Sequence, residues 1–138
     1  MSVGQPPHAV EPSAALNILS NRVIGAALEV HRILGPGFVE AVYEEALAVE
    51  LELRDIPYTL QQNVAVEYKG RLVGQSRLDL LVAESLVVEL KAVEVLLPVH
   101  TAQLLSYLKA TGHKLGLLVN FNTPLLRDGI RRVILKNH

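Results

Sequence analysis

The sequence contains no cysteine and no tryptophan among its 138 residues. Without cysteine, the chain has no disulfide bonds, no zinc site built from thiolates and no cysteine nucleophile. Aromatic residues make up only 4% of the chain, whereas half of it is apolar, so its core must be mainly aliphatic. A chain of this length is sufficient for one domain with a sizeable core.

Long hydrophobic runs are also missing, because charged residues interrupt each apolar segment before it reaches the length of a membrane span. The first residues lack the basic stretch and apolar core of a signal peptide. We therefore expect a cytoplasmic protein that does not insert into a membrane. The sequence also lacks a glycine-rich phosphate loop, a nucleophile elbow and histidines at zinc-ligand spacing.

Charge is unevenly distributed, although the net charge is only −1. Residues 1–60 carry three basic and eight acidic side chains, whereas residues 61–138 carry ten basic and six acidic ones. The C-terminal part can therefore present a basic surface to a polyanion. Arg131 and Arg132, in the last predicted strand, are the candidates for nucleic-acid binding, and a solvated strand face is the structural alternative.

The order of predicted elements indicates an α+β fold. The proline-rich residues 1–13 predict a flexible tail, and residues 14–138 predict a single domain. Apolar periodicity predicts helices over residues 13–34, 38–54 and 100–111, three strands between residues 60 and 93, and further strands over residues 115–121 and 129–135. The third helix connects two strands, so these strands should be parallel, within a mixed sheet flanked by helices.

Three charged residues, Asp79, Glu89 and Lys91, interrupt two aliphatic strands that meet near Glu84-Ser85. Burying such charges is costly unless they are paired or bind a metal. Two carboxylates and an ammonium group on one sheet face suit a divalent cation with a water molecule beside it. The alternative is a salt bridge between Lys91 and one of the acids on a solvated face.

The connection between these two strands distinguishes the alternatives. A two-residue turn would place Asp79 opposite Leu90 and direct its side chain away from Glu89. A three-residue loop or a bulge would pair Asp79 with Glu89 or Lys91. The metal-site hypothesis therefore predicts a three-residue or bulged turn.

Two helices carry further polar pairs. Glu40 and Tyr43 lie three residues apart at the start of the second helix, where the helix dipole alone would also favour an acid. Gln103 and Tyr107 lie four apart on the third helix, so they can share a face. Leu104 and Leu108 are expected to pack against the sheet.

The motifs resemble those of a known family. Residues 37–43 spell G-x-x-E-x-x-Y, and together with the segments 89–94 and 103–112 they resemble the GxxExxY family, which is placed in the PD-(D/E)XK nuclease superfamily. The resemblance implies a restriction-endonuclease-like αβββαβ core, here preceded by an extra N-terminal helix. It departs from the superfamily's name at Leu78, where the name has proline.

The resemblance also implies an activity, which is hydrolysis of phosphodiester bonds with Mg²⁺ or Mn²⁺ as cofactor. It implies six catalytic residues: Glu40, Asp79, Glu89, Lys91, Gln103 and Tyr107. The metal ligands would be the three acids and the carbonyl of Leu90. The expected partner is nucleic acid, DNA rather than RNA, and a homodimer would supply additional binding surface. The alternative is a non-catalytic nucleic-acid-binding or regulatory module that retains a nuclease fold.

Overall fold

The computed structural model describes residues 11–136 and contains three α-helices and one five-stranded sheet. The elements are α1 (Ala14–Leu34), α2 (Glu40–Leu53), β1 (Tyr58–Tyr68), β2 (Arg71–Val82), β3 (Leu86–Lys91), α3 (Pro98–Thr111), β4 (Leu115–Asn120), a 3₁₀ turn (Leu126–Gly129) and β5 (Ile130–Ile134). This order confirms the predicted α+β fold with an extra helix before the αβββαβ core. Residues 1–10 of the predicted tail lie outside the described residues, as do residues 137 and 138.

The sheet has the order β1-β2-β3-β4-β5 and is mixed. Strands β3 and β4 are parallel, as predicted from the helix between them, and the other neighbours are antiparallel. The core has two parts: α1 and α2 pack on one face of the sheet, and α3 packs on the other. No helix within residues 11–136 combines the length and apolar character needed to cross a membrane.

The helix boundaries follow from local signals in the sequence. The Ser13 side chain accepts a hydrogen bond from the backbone N–H of Leu16 and caps α1. Gly35 ends α1 with a φ of 69°, a conformation that glycine adopts without steric cost. On α2, the apolar residues Val49 and Leu53 are exposed, whereas Tyr43 is fully buried. The apolar residues of α2 are distributed around the whole helix, so their spacing does not specify which side of the helix faces the sheet.

Strands β1 and β2 are twice as long as β3 and extend beyond it. The pairing of β2 with β3 covers only Leu80 to Val82, whereas β1 and β2 remain paired as far as Tyr68 and Arg71. We call residues 62–78 the hairpin arm. One face of the hairpin arm packs against α3, where Val64 is buried. The arm begins at the point where β2 and β3 separate, next to Asp79.

Candidate active site

The turn between β2 and β3 has three residues, Ala83 to Ser85, because Val82 pairs with Leu86. Ala83 and Glu84 both have positive φ, and the N–H of Ser85 donates to the carbonyl of Val82 at 3.1 Å. Continued along the strands, this register places Asp79 opposite Glu89. The three-residue turn that the metal-site hypothesis required is therefore confirmed.

The backbone hydrogen bonds between β2 and β3 end at the pair Leu80 and Val88, one residue before the acids. Beyond this pair, the carboxylates of the two acids accept hydrogen bonds from backbone N–H groups of the opposite strand. The N–H of Asp79 donates to Glu89 Oε1 at 3.0 Å, and the N–H of Leu90 donates to Asp79 Oδ2 at 2.8 Å. Glu89 is only 6% exposed, and Asp79 is half-buried. The two carboxyl groups also contact each other, and this contact lowers the pKa of Asp79. Each acid is thus anchored through one oxygen by a backbone N–H of the opposite strand.

Strand β1 is interrupted at the same level by Gln61, a residue that sequence patterns did not indicate. Its φ of 56° is unusual for a residue with a side chain and interrupts the pairing opposite Asp79. The Gln61 side chain donates to Glu44 Oε1 at 2.5 Å and accepts from Arg77 Nη1 at 3.4 Å. Backbone strain of this kind is concentrated at functional sites. Gln61 connects α2 to the base of the hairpin arm beside the acid pair.

Burial and mutual repulsion perturb both acids. Burial, followed by the negative charges of Asp79 and Glu40, raises the pKa of Glu89 to about 8. Burial also raises the pKa of Asp79, against the opposing effects of the Leu90 N–H and of Lys91. Without a cation at neutral pH, the pair therefore retains a proton, because two adjacent buried carboxylates cannot both ionise at low cost. A divalent cation would replace that proton.

Glu40 is the first residue of α2, and its carboxyl group interacts electrostatically with Asp79 and Lys91. The residue as a whole is exposed, but burial of its carboxyl group and then the charge of Asp79 raise its pKa, whereas Lys91 lowers it. Glu40 also contributes to the raised pKa of Glu89. The structure thus brings Glu40, Asp79, Glu89 and Lys91 within electrostatic range of one another, as the motifs predicted.

Tyr43, the last residue of the G-x-x-E-x-x-Y motif, is structural. Its hydroxyl donates to the carbonyl of Gly35 at 2.5 Å and accepts from the N–H of Phe38 at 3.1 Å. Its ring stacks on Phe121 with centroids 4.4 Å apart. The buried tyrosine ties the loop between α1 and α2 to the core, and it thereby orients Glu40 at the start of α2.

Replacing Tyr43 with Phe should destabilise the protein by about 1–3 kcal/mol, because two backbone groups of the loop lose their partner. Urea unfolding measures the change. Tyr58→Phe is the matched control: its hydroxyl donates to Glu52 at the exposed surface, so its loss should cost less than about 0.5 kcal/mol. Equal losses in the two variants would contradict the structural role of Tyr43.

The two polar residues predicted to share a face of α3, Gln103 and Tyr107, have different environments in the structure. Tyr107 is half-buried, and its hydroxyl accepts a hydrogen bond from Ser76 Oγ at 3.0 Å, which joins α3 to the hairpin arm. Gln103 is exposed and forms no hydrogen bond with any residue between 11 and 136. Leu104 and Leu108 are buried, as predicted. The structure does not connect Gln103 with the acid pair.

Arg131 and Arg132, the sequence-based candidates for nucleic-acid binding, do not form one basic surface. Both are exposed on β5, but neighbouring strand residues point to opposite faces. Arg132 Nη2 donates to Asn17 Oδ1 on α1 at 2.5 Å. Arg131 lies on the same face as Val133, which packs with the α3 cluster. A single nucleic-acid strand cannot contact both arginines on one face of the sheet.

The oxygen ligands at this site suit a cation that keeps most of its water shell better than a cation enclosed entirely by protein ligands. No group of three or more His, Cys, Asp or Glu side chains in residues 11–136 has the spacing to enclose a metal ion. Mg²⁺ commonly uses one or two carboxylates and completes its shell with water and substrate phosphate. Asp79 and Glu89 supply two such oxygens. The carbonyl of Leu90 points to the same side as its N–H, which contacts Asp79.

A second residue without a sequence signature, Asn120, shapes the end of β3. Its amide donates to the carbonyl of Val93 at 2.8 Å, and its oxygen accepts from the N–H of Val93 at 3.0 Å. Asn120 is 3% exposed and pairs in register with Lys91. The only local signal was a single polar residue within an apolar run. Asn120 holds the segment that follows Lys91 and so orients the end of the strand that bears it.

The geometry agrees with a comparison of the sequence with protein families. The family model described as the PD-(D/E)XK nuclease superfamily matches residues 17–133, which is most of the chain. The chain has no significant match among curated proteins or solved structures. The strand pair with its two acids, the lysine on the same strand and the family match lead to one conclusion: this chain belongs to the PD-(D/E)XK nuclease superfamily.

Proposed function

We propose that this protein is a divalent-metal-dependent nuclease of the GxxExxY branch that hydrolyses phosphodiester bonds, in DNA rather than RNA. The observation that carries this proposal is the opposed pair of Asp79, which is half-buried, and Glu89, which is buried. Backbone N–H groups anchor both carboxylates, and the pKa of each acid is raised. Structural acids of this kind usually have a basic partner at salt-bridge distance, whereas neither acid forms a salt bridge within residues 11–136.

The metal-binding residues would be Asp79 and Glu89, with the carbonyl of Leu90 as a third donor and Glu40 adding negative charge beside them. Bound Mg²⁺ or Mn²⁺ would supply an activated water and neutralise charge at phosphorus. Lys91 lies on the same strand face as Glu89, two residues further along β3. Its ammonium group would orient the attacking water and stabilise the negative charge that develops on the phosphate oxygens.

The two α3 residues take different parts in this proposal. Gln103 has an exposed amide that can donate to a phosphate of a bound substrate. Tyr107 would act less directly, since its hydroxyl is engaged by Ser76 and positions the hairpin arm.

The proposal is tested by incubating the protein with labelled single- and double-stranded DNA and RNA in Mg²⁺, Mn²⁺ or EDTA. We expect cleavage of DNA in either metal and none in EDTA. Calorimetric titration with Mn²⁺ provides a readout that is independent of cleavage. A protein that binds no divalent metal and cuts none of the four substrates would favour the non-catalytic binding module instead.

A further inference from the structure

Gln61 has a backbone conformation that is unusual inside a strand. Among residues 11–136, five non-glycine residues have a positive φ, and four of these lie in connections between elements: Asp55, Lys69, Ala83 and Glu84. The fifth is Gln61, which lies within β1 with a φ of 56°. Such a conformation costs free energy in a residue with a side chain, and it persists only where the surrounding structure requires it. The conformation of Gln61 therefore indicates a constraint that a regular strand cannot meet.

Strands β1 and β2 both change faces at the level of this residue. On one side of it, Leu60 and Leu80 pack with the helices α1 and α2. On the other side, Val64 and Leu78 pack with α3, and Ser76 is hydrogen-bonded to α3. Regular alternation would keep residues 60 and 64 on one face, and residues 78 and 80 on one face. Each strand therefore breaks its alternation at this level.

The pairing register of β1 and β2 is the same before and after this point. Leu60 pairs with Leu80, and Gln62 pairs with Leu78, so neither strand gains a residue as it would in a β-bulge. Because the strands stay paired on both sides of Gln61, they can change faces only together. The two-stranded β1–β2 ribbon therefore turns over at Gln61, where a left-handed residue rotates the chain.

The ribbon turns over beside Asp79, the residue of β2 just before Leu80. At the same place β2 separates from β3, because their pairing begins at Leu80 and Val88. An unbroken pairing would give the N–H of Asp79 a backbone carbonyl of β3 as its acceptor. Instead this N–H donates to the Glu89 carboxylate, and the Asp79 carboxylate accepts from a backbone N–H of β3. The change of face thus opens the gap that the two carboxylates fill.

We propose that Gln61 is a positioning residue of the candidate active site. Its left-handed backbone turns the β1–β2 ribbon over at Asp79 and so holds open the gap in which the carboxylates of Asp79 and Glu89 are anchored. Gln61 contacts neither metal nor substrate in this scheme and acts through Asp79. The inference rests on the proposed function, since the residues that Gln61 positions are the proposed metal ligands.

The alternative is that Gln61 acts through its side chain, which contacts Glu44 of α2 and Arg77 of β2. Both contacts lie at the exposed surface, where a single substitution usually changes stability little. Glu44 nevertheless lies about one helical turn after Glu40, so the side chain of Gln61 also links β1 to the helix that carries the third acid. Variants of this one residue distinguish the backbone effect from the side-chain effect.

Two replacements of Gln61 remove the same side-chain contacts and differ in the backbone that they favour. Gln61→Gly accepts a positive φ without steric cost. Gln61→Val disfavours it, because a branched Cβ is crowded in the left-handed region. The matched control is Gln62→Val, the same replacement at the next residue, which is exposed and pairs with Leu78. Gln61→Val should therefore disturb the acid pair, whereas Gln61→Gly and the control should not.

Amide hydrogen exchange, followed by NMR in EDTA, reports on the anchoring hydrogen bonds without any metal. The N–H groups of Asp79 and Leu90 donate these bonds, and the N–H of Leu117 in the buried strand β4 is the reference. In Gln61→Val the protection of the first two amides should fall at least about tenfold relative to Leu117. In Gln61→Gly and Gln62→Val the ratio should stay within about threefold of the wild type. An equal fall at all three amides would indicate general destabilisation and overturn the inference.

Calorimetric titration with Mn²⁺ at pH 8.5 measures the consequence for the proposed metal site. Gln61→Val should bind Mn²⁺ about 10- to 100-fold more weakly than the wild type, the usual effect of losing a residue that supports a metal ligand. Gln61→Gly should stay within about threefold of the wild type. If Gln61→Gly loses as much affinity and amide protection as Gln61→Val, the side chain acts and the backbone assignment is wrong.

A third replacement covers the case in which Gln61→Val does not fold, which circular dichroism detects. Gln61→Ala retains Cβ without a branch, so a positive φ costs alanine less than valine and more than glycine. Its protection ratio should fall at least about threefold below that of Gln61→Gly. Equal ratios for the alanine and glycine variants would overturn the inference.

The two readouts separate this inference from the proposed function. If the wild type binds no divalent metal, but the exchange ratio falls in Gln61→Val and not in Gln61→Gly, then Gln61 positions the two acids and the nuclease proposal fails. If the wild type cuts DNA while Gln61→Val matches it in both exchange ratio and Mn²⁺ affinity, the nuclease proposal stands and the inference is wrong.

Discussion

Replacing Glu89 with Gln should abolish metal-dependent cleavage and, at neutral pH, stabilise the metal-free protein. The stability effect follows from the pKa of about 8 that burial and the neighbouring acids give Glu89 in the folded state, against an ordinary value of 4.5. Between these two values the unfolded chain ionises Glu89 while the folded protein keeps its proton. Folding then takes up a proton, so stability falls as the pH rises from about 4.5 to 8.

Glutamine removes this penalty and preserves the local geometry. Its side-chain oxygen can still accept the hydrogen bond from the N–H of Asp79, and it has no charge to desolvate. The gain at pH 7 should be on the order of 3 kcal/mol. Cleavage should fall by more than about 1,000-fold, because the variant loses a ligand oxygen and one negative charge, and bound metal contributes several kcal/mol to catalysis.

Denaturant unfolding in EDTA between pH 5 and 9, together with the cleavage assay, measures both effects. Glu84→Gln is the matched control, since Glu84 lies exposed in the turn of the same hairpin and should change neither quantity. Wild-type Mn²⁺ affinity should rise with pH up to about 8, because the ligand must lose its proton before binding. Wild-type stability that does not vary between pH 5 and 8 would contradict the assigned pKa, and normal cleavage by the variant would exclude Glu89 from the site.

Replacing Lys91 with Met should abolish cleavage and leave metal binding in place. Lys91 is half-buried at the end of β3, and its positive charge lowers the pKa of Asp79, Glu89 and Glu40. In the proposed mechanism Lys91 orients the attacking water and stabilises the developing negative charge, and it does not bind the cation. Removing a group of this kind typically costs about 100- to 10,000-fold in rate. Methionine keeps the apolar stem in place, so folding should be retained.

Metal binding by the Lys91→Met variant should be measured at pH 8.5 as well as at pH 7. Without Lys91 the pKa values of the acids rise further, so binding at pH 7 should weaken, whereas at pH 8.5 the loss of a repelling cation should preserve or improve it. Lys114→Met, a replacement of an exposed lysine before β4, is the control. Normal cleavage by Lys91→Met would show that its assignment is wrong even if the protein is a nuclease, and loss of Mn²⁺ binding at pH 8.5 would indicate a structural role.

Several features could be read from the sequence because their causes are local. Ser13 caps the first helix and glycine ends it at Gly35, and these signals act within one turn of the chain. The helix between residues 93 and 115 required a parallel strand pair, since a crossover of that length cannot form a hairpin. The unusual charges in apolar strands identified Asp79, Glu89 and Lys91. The alternation of β5 already implied that Arg131 and Arg132 face opposite sides, although their adjacency in sequence suggested one patch.

Tertiary structure decided the features that depend on contacts between distant residues. The length of the turn at Ala83–Ser85 determined that the two acids meet, because one residue more or fewer would direct Asp79 to the other face. Contacts with the sheet and with Phe121 made Tyr43 a buried anchor. The positive φ of Gln61 arises where strands of unequal length separate. The sequence by itself thus determined the elements and the reactive residue types, whereas register, strand length and packing decided which of these residues share a site.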